Sequence, residues 1–272
     1  MPDEVRFQMM RPAQIVARRV ACPVAYLPIG TLEWHGLHNP MGTDTLQAEG
    51  IAILAAQRGG GIAFPPLYYG ESRSESLMEA NARDRDQIAE KLGLSPDHFS
   101  PDRQPFSPTE QALNYHKLLL HVLTELETYG FQVGVLVAGH YPLIDHARAA
   151  VCQFHQHRYT GDRRMLAWAF VDYQLVENQF EGAGDHAGGW ETSHMLALHP
   201  DTVDLAALPP RGEPLIGAGG RIAPQDATAD LGQRSLDAAA DIAIKETQHR
   251  LAHPERYRGH GNALREGLWK NG

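Results

Sequence analysis

The chain has 272 residues, 43% of them hydrophobic and 21% charged, which is the composition of a globular protein with a sizeable core. Its net charge of −9 and the lack of any basic patch argue against nucleic acid as a partner. No run nears the ~20 apolar residues of a membrane span, residues 1–19 hold no signal-like apolar stretch, and neither Cys22 nor Cys152 belongs to a Cys-x-x-Cys pair; we expect a cytoplasmic protein with no membrane partner and two buried free thiols.

Short apolar runs alternate with helical patterns, the signature of an α/β layered fold with a largely parallel sheet. Residues 24–29 read as a buried strand, and 45–58 as a helix with Leu46, Ile51, Leu54 and Ala55 at helical spacing, ended by Gly59-Gly60-Gly61. A short second strand follows at 62–65. Ser107-Pro108-Thr109-Glu110 predicts a capped helix start, and the helix runs to about residue 129 before Gly130. Residues 132–138 form a third strand, and a helix follows Pro142 with Leu143, Ile144, Ala147, Val151 and Phe154 on one face. A fourth strand at 165–171, a helix at 189–198 and a last long helix at 236–251 complete the pattern. Residues 81–105 are charged and then proline-rich, an inserted flap or long loop; 207–224 read as an irregular connection. Neither reads as a domain boundary, so residues 1–272 are expected to form one domain.

Sites in open α/β sheets form beyond the carboxyl ends of strands. Three clusters of ligand-type residues fall there: Glu33-Trp34-His35 with His38 and Asp44 after the first strand, Gly139-His140 after the third, and Asp185-His186 leading to Glu191 after the fourth. Residues two apart in extended chain point the same way, so Glu33 and His35 can face one pocket while Trp34 faces elsewhere. Each residue has a plainer role open to it. Asp44 can be the N-cap of the following helix, His140 a packed strand-end histidine, Glu191 a first-turn acid favoured by the helix dipole, and Glu33 a solvated carboxylate. His38, His116, His121, His146, His155 and His157 read as structural or exposed. The coincidence of three clusters at three strand ends points instead to one or two divalent cations held by Glu33, His35, Asp44, His140 and Glu191. Such ions lower the pKa of water and polarise a carbonyl, with Asp44 able to bridge two of them. His186 is then a candidate proton shuttle, imidazole being the side chain suited to proton transfer in neutral solution, and Asp185 a candidate for orienting it.

These residues resemble the creatininase (creatinine amidohydrolase) family. The resemblance rests on Leu27-Pro28-Ile29-Gly30-Thr31-Leu32-Glu33-Trp34-His35-Gly36 with His38, Pro40 and Gly42-Thr43-Asp44-Thr45, on Pro65-Pro66-Leu67-Tyr68-Tyr69-Gly70, on Gly139-His140-Tyr141, and on His186-Ala187-Gly188 leading to Glu191-Thr192-Ser193. It implies a three-layer αβα sandwich, a zinc or manganese site of one or two ions per subunit, a homohexamer, and ring-opening hydrolysis of a small polar cyclic substrate. By position it makes Glu33, His35, Asp44 and His140 metal ligands, His186 the proton carrier, and Glu191 an acidic residue that closes the coordination shell.

Two departures bear on the substrate. Creatinine-hydrolysing members carry a ligand glutamate where this chain has Pro142, which leaves Glu191 to supply the carboxylate. After Gly70 the chain reads Glu71-Ser72-Arg73-Ser74-Glu75 in place of the family's usual segment. The family also holds a deformylase of deazaflavin biosynthesis, a peptide-processing enzyme and a hydrolase that opens an oxidised inositol ring by C–C cleavage. A metal-dependent sugar isomerase or lyase would use similar ligands, and a non-catalytic metal-binding scaffold would keep the fold without the chemistry.

Overall fold

The computed structural model describes residues 4–70, 83–100, 103, 105–156 and 165–257. Its centre is a four-stranded sheet built from β1 (Val24–Ile29), β2 (Ile62–Ala63), β3 (Val133–Ala138) and β4 (Leu166–Val171), in the order β2-β1-β3-β4. All three pairings are parallel, with Val24 opposite Val133 and Val133 opposite Leu166. Parallel strands need crossovers, and these are helices: α2 (Thr43–Gly59), α4 (Pro108–Thr128) and α5 (Leu143–Gln156).

Side-chain alternation along the strands divides the core in two. Ala25, Leu27 and Ile29 of β1, with Leu136 and Ala138 of β3, face Leu119, Leu123 and Leu126 of α4 and Leu143, Ile144 and Ala147 of α5. Val24 and Tyr26, with Val133, Val135 and Val137, face Ile51 and Ala55 of α2, Trp190 of α7 (Gly189–Leu198) and Leu236 and Ala243 of α8 (Ala229–Ala252). The result is a three-layer αβα sandwich. Each fully buried leucine in these layers contributes about 1.5–3 kcal/mol relative to exposure.

The helix at 107 starts as its sequence predicts. Ser107 Oγ accepts from Glu110 N, and Glu110 Oε2 accepts from Ser107 N at 2.8 Å. Other boundaries differ from expectation for identifiable reasons. The last helix begins at Ala229, seven residues before the predicted start, with the Thr228 hydroxyl capping Leu231 N. Its first turns bury Gly232 and Ser235 against α7, and small or polar residues give no apolar period to read. The short helices α1 (Pro12–Ala21), α3 (Arg85–Lys91) and α6 (Asp172–Val176) were not predicted; α1 has no buried residue and α3 lies inside the charged segment at 81–105. The expectation of buried thiols is corrected. Cys22 is half-buried, and Cys152 is exposed because it lies on the outer face of α5, between the inward Val151 and Phe154. His157 and residues 71–75 lie outside the described residues.

Candidate metal centre

Two glycines let the strand ends approach α2. A Cβ on Gly30, just past β1, would lie 2.3 Å from Thr45 Oγ1, and a Cβ on Gly139, just past β3, would lie 1.7 Å from the Asp44 carbonyl oxygen. Only glycine fits either place, and the second contact sets His140 beside the first turn of α2. Asp44 sits inside that turn. The N-cap is Gly42, with no side-chain cap, so the capping role open to Asp44 is not the one it takes. Its carboxylate turns into the sheet end instead.

Three sets of ligand-type atoms converge there: Glu33, Asp44 and His140; His35, Asp44 and Glu191; and Glu33, His35 and His186. Asp44 belongs to the first two sets through different oxygens. Its Oδ2 lies 3.2 Å from His140 Nδ1, and its Oδ1 lies 3.1 Å from His35 Nε2. Glu33 Oε1 is 2.9 Å from His140 Nδ1, and Glu191 Oε2 is 3.4 Å from His35 Nε2. Glu33, His35 and Asp44 are at most 1% exposed, Glu191 5% and His140 9%.

The His35 tautomer follows from its partners. Nδ1 donates to the Glu33 carbonyl at 3.1 Å, so in the neutral ring Nε2 presents a lone pair to two carboxylates. Lone pairs facing carboxylate oxygens repel unless a proton or a cation lies between them. Both Glu33 carboxylate oxygens and Asp44 Oδ2 are buried without an aligned hydrogen bond. Three buried carboxylates, oxygens without aligned donors, and histidines whose outer nitrogen is held by a carbonyl make a donor set that fits divalent cations.

Electrostatics say the same. Burial raises the Glu33 pKa, Asp44 adds to that, and His140 offsets only part. Burial also works against the charge on Asp44, but His35 and His140 hold its carboxyl well below the usual range. Burial would lower both histidines; the carboxylates prevail, lifting His35 well above the ordinary value and His140 to about 10. The carboxylates thus favour positive charge at both imidazoles, the same charge a divalent cation would supply.

The turn at 185–191 closes the cluster. Asp185 accepts from the backbone N–H groups of Gly188, Trp190 and Glu191, capping α7. Burial, then the Glu191 charge, pushes its pKa up to about 7. Ala187, with φ 52°, is the one non-glycine in the left-handed region among the described residues; its N–H donates to Glu191 Oε2 at 2.8 Å. His186 Nε2 donates to the Trp34 carbonyl at 2.8 Å, so Nδ1 of the neutral ring turns toward Glu33 Oε1, 3.5 Å away. It is the most exposed member of the cluster, at 23% of its side chain. A strap from the connection at 207–224 holds this arrangement. His186 and Gly219 exchange both backbone hydrogen bonds, the Trp34 indole donates to the Ile216 carbonyl, and Gly217 N donates to Asp84 Oδ2.

Every residue named from the sequence as a ligand is therefore in one cluster, with His186 at its rim. Asp185 is nearby, with its carboxylate on the N-terminus of α7. Of the histidines read as structural, His38 is buried and meets Thr192 Oγ1 at 3.0 Å, and His155 Nε2 accepts from Ala167 N. Sequence reasoning missed Gln47 and His194, both buried beside Glu191. Their signal was helical spacing: each lies three residues after an acid of the cluster, Asp44 and Glu191, on the same helix face.

The sequence profile of the family described as "Creatininase: Creatinine amidohydrolase" matches residues 8–81 and 90–246. Over 197 residues the chain is 29% identical to the creatinine amidohydrolase of Pseudomonas putida, covering 67% of this chain and 66% of that protein, just under two thirds of its length. A solved creatininase superposes with a TM-score of 0.66 at 22% identity, over 94% of this chain and 99% of its own. A putative creatinine amidohydrolase from Bacteroides fragilis NCTC 9343 does so with a TM-score of 0.62 at 19% identity, over 92% and 97%. Other solved creatininases of the same fold include a Zn–Zn type and a manganese form. This chain belongs to the creatininase family.

Proposed function

We propose that the chain is a metal-dependent hydrolase that opens a small polar cyclic amide. The observation that carries this is the sharing of Asp44 between two sets of three buried ligand atoms. Glu33, Asp44 and His140 would hold one divalent cation, and His35, Asp44 and Glu191 a second, zinc or manganese as in the named relatives. Glu191 thereby supplies from α7 the carboxylate that Pro142, exposed at the start of α5, cannot. When bound, such ions supply Lewis acidity that polarises a carbonyl and acidifies water.

The protein's own groups manage the protons. Water adds to the ring carbonyl carbon and the C–N bond breaks, leaving a carboxylate and an amine. His186 Nδ1 takes the water's proton and returns it to the departing nitrogen, while the Trp34 carbonyl fixes the ring through Nε2. Asp185 acts by capping the turn that carries His186 and Glu191. The chain works as one domain with 81–105 as an insert, whose Asp84 meets the strap at Gly217 N. We take the chain to form a homo-oligomer, a hexamer as the family resemblance implies. No described helix is long and apolar enough to cross a membrane, and we place the enzyme in the cytoplasm.

The test is a panel of cyclic amides, lactams and oxidised cyclitols offered to manganese- and zinc-loaded protein. Chelator-sensitive formation of a ring-opened carboxylate from an amide is the expected result. Activity on the cyclitols alone would move the chemistry to C–C cleavage, and isomerisation without water uptake would refute hydrolysis.

A further inference from the structure

Glu191 belongs to one of the two sets of atoms that share Asp44, and a chain of three buried residues outside the cluster leads to it. Gln47 Nε2, on α2, donates to the Gly139 carbonyl at 2.9 Å and to Glu191 Oε1 at 3.2 Å. Both partners are acceptors, which fixes the amide: its oxygen must face the other way, toward His194. His194 Nδ1 lies 2.9 Å from Gln47 Oε1 and is therefore the protonated nitrogen. His194 Nε2 then carries a lone pair, 2.9 Å from Ser235 Oγ on α8. The Ser235 hydroxyl also lies within 2.9 Å of the Leu231 and Gly232 carbonyls of its own helix. Its single hydrogen is therefore shared between His194 Nε2 and those two carbonyls, all three of which are acceptors within reach. Gln47, His194 and Ser235 are at most 2% exposed.

We propose that Ser235, His194 and Gln47 form a positioning relay that sets the Glu191 carboxylate against His35 and ties it, through the Gly139 carbonyl, to the loop bearing His140. One end is anchored on α8, the other on both halves of the cluster. Gln47 and His194 each have one allowed hydrogen-bond direction, set by the two acceptors that the Gln47 amide nitrogen meets. Groups that orient metal ligands in this way typically change metal affinity 10–100-fold when removed.

This rests on the metal-centre reading above, and the experiment separates the two. Manganese uptake is measured by titration calorimetry on the wild type, His194→Leu and His194→Asn, with circular dichroism as a check of folding. Leucine removes the Nδ1 donor, whereas the asparagine amide places an N–H close to where Nδ1 stood. We expect His194→Leu to hold the Glu191-side ion about 10–100-fold more weakly while the Glu33–His140 ion is little changed, and His194→Asn to recover most of the loss. Equal affinity in the wild type and His194→Leu overturns the relay and leaves the metal centre standing. So does a loss that asparagine does not repair. A wild type that binds no manganese or zinc overturns the metal centre, and the relay with it. If His194→Leu does not fold, Ser235→Ala carries the test: weakening of the same ion supports the relay, and unchanged uptake overturns it.

Discussion

The cluster separates groups that hold charge from groups that move it, and single substitutions should divide the same way. Glu33 and His140 are inward-facing, near-fully buried members of one set, so Glu33→Gln or His140→Ala is expected to abolish metal occupancy and turnover together. His186 is at the rim with one nitrogen on a backbone carbonyl, so His186→Ala should keep the metal and lose roughly 10²–10⁴-fold in turnover. Metal content measured beside activity decides it; a fully active His140→Ala refutes the ligand assignment. A second prediction concerns protonation away from the cluster. Burial drops the His194 pKa to about 4, against the nearby charge of Glu191, while Asp172, 3.9 Å away, is itself raised to about 6 by burial. A histidine kept neutral on folding contributes stability above its unfolded pKa of about 6.5, and that stability is lost as pH falls toward the folded value. Asp172 shifts the opposite way over part of this window, so the wild-type curve alone is not diagnostic. The stability gap between metal-free wild type and His194→Asn is. It should narrow by up to about 1.4 kcal/mol per pH unit from 6.5 down to 4, read from denaturant midpoints; a gap constant with pH would mean that His194 does not titrate there.

At the scale of elements, the site depends on backbone approach as much as on side chains. Gly139 has no room for a Cβ, so Gly139→Ala must push the end of β3 away from α2. We expect a cost of about 1–3 kcal/mol in stability together with weaker metal binding, since His140 and Asp44 would separate; loss of stability with unchanged metal affinity would contradict this. These contacts explain what could be read from the chain. Strands β1 and β3 were legible because they are buried on both faces and therefore apolar throughout, and β4 because it is apolar although Trp168 and Ala169 are only half-buried. The members of the cluster were legible because Glu33, His35, Asp44, His140 and Glu191 follow strand ends among glycines, a pattern that packing alone does not require. Gln47 and His194 had only their spacing from Asp44 and Glu191 to mark them, and Ser235 had nothing, because a buried polar group inside a helix looks like any other until its partners, 41 to 147 positions away, are known. The strap at 216–219 was hidden for a related reason: its hydrogen bonds are made by backbone groups, which every residue has.

For the molecule as a whole, the metal would be a folding partner as well as a reagent. The cluster draws its ligand-type atoms from the loop after β1, the first turn of α2, the loop after β3 and the first turn of α7, which carry residues 33 through 191. A cation bound there closes long loops of chain and replaces protons held on His35 and His140. Two consequences follow. Binding should release protons, because the surrounding carboxylates raise both imidazoles above their ordinary pKa, so apparent affinity should rise with pH through the neutral range. Removing the metal should also destabilise the fold. An ion present at 100 times its dissociation constant stabilises by about 2.7 kcal/mol, which in a protein of this size corresponds to roughly 5–10 °C in melting temperature. Thermal melts with and without chelator, at pH 6, 7 and 8, should therefore show a metal-dependent gap that widens as pH rises at fixed free metal. A gap that shrinks with rising pH would mean that the ion does not displace protons from these histidines. Coincident melts in chelator and in excess manganese or zinc would mean that the converging carboxylates hold no ion tightly enough to matter.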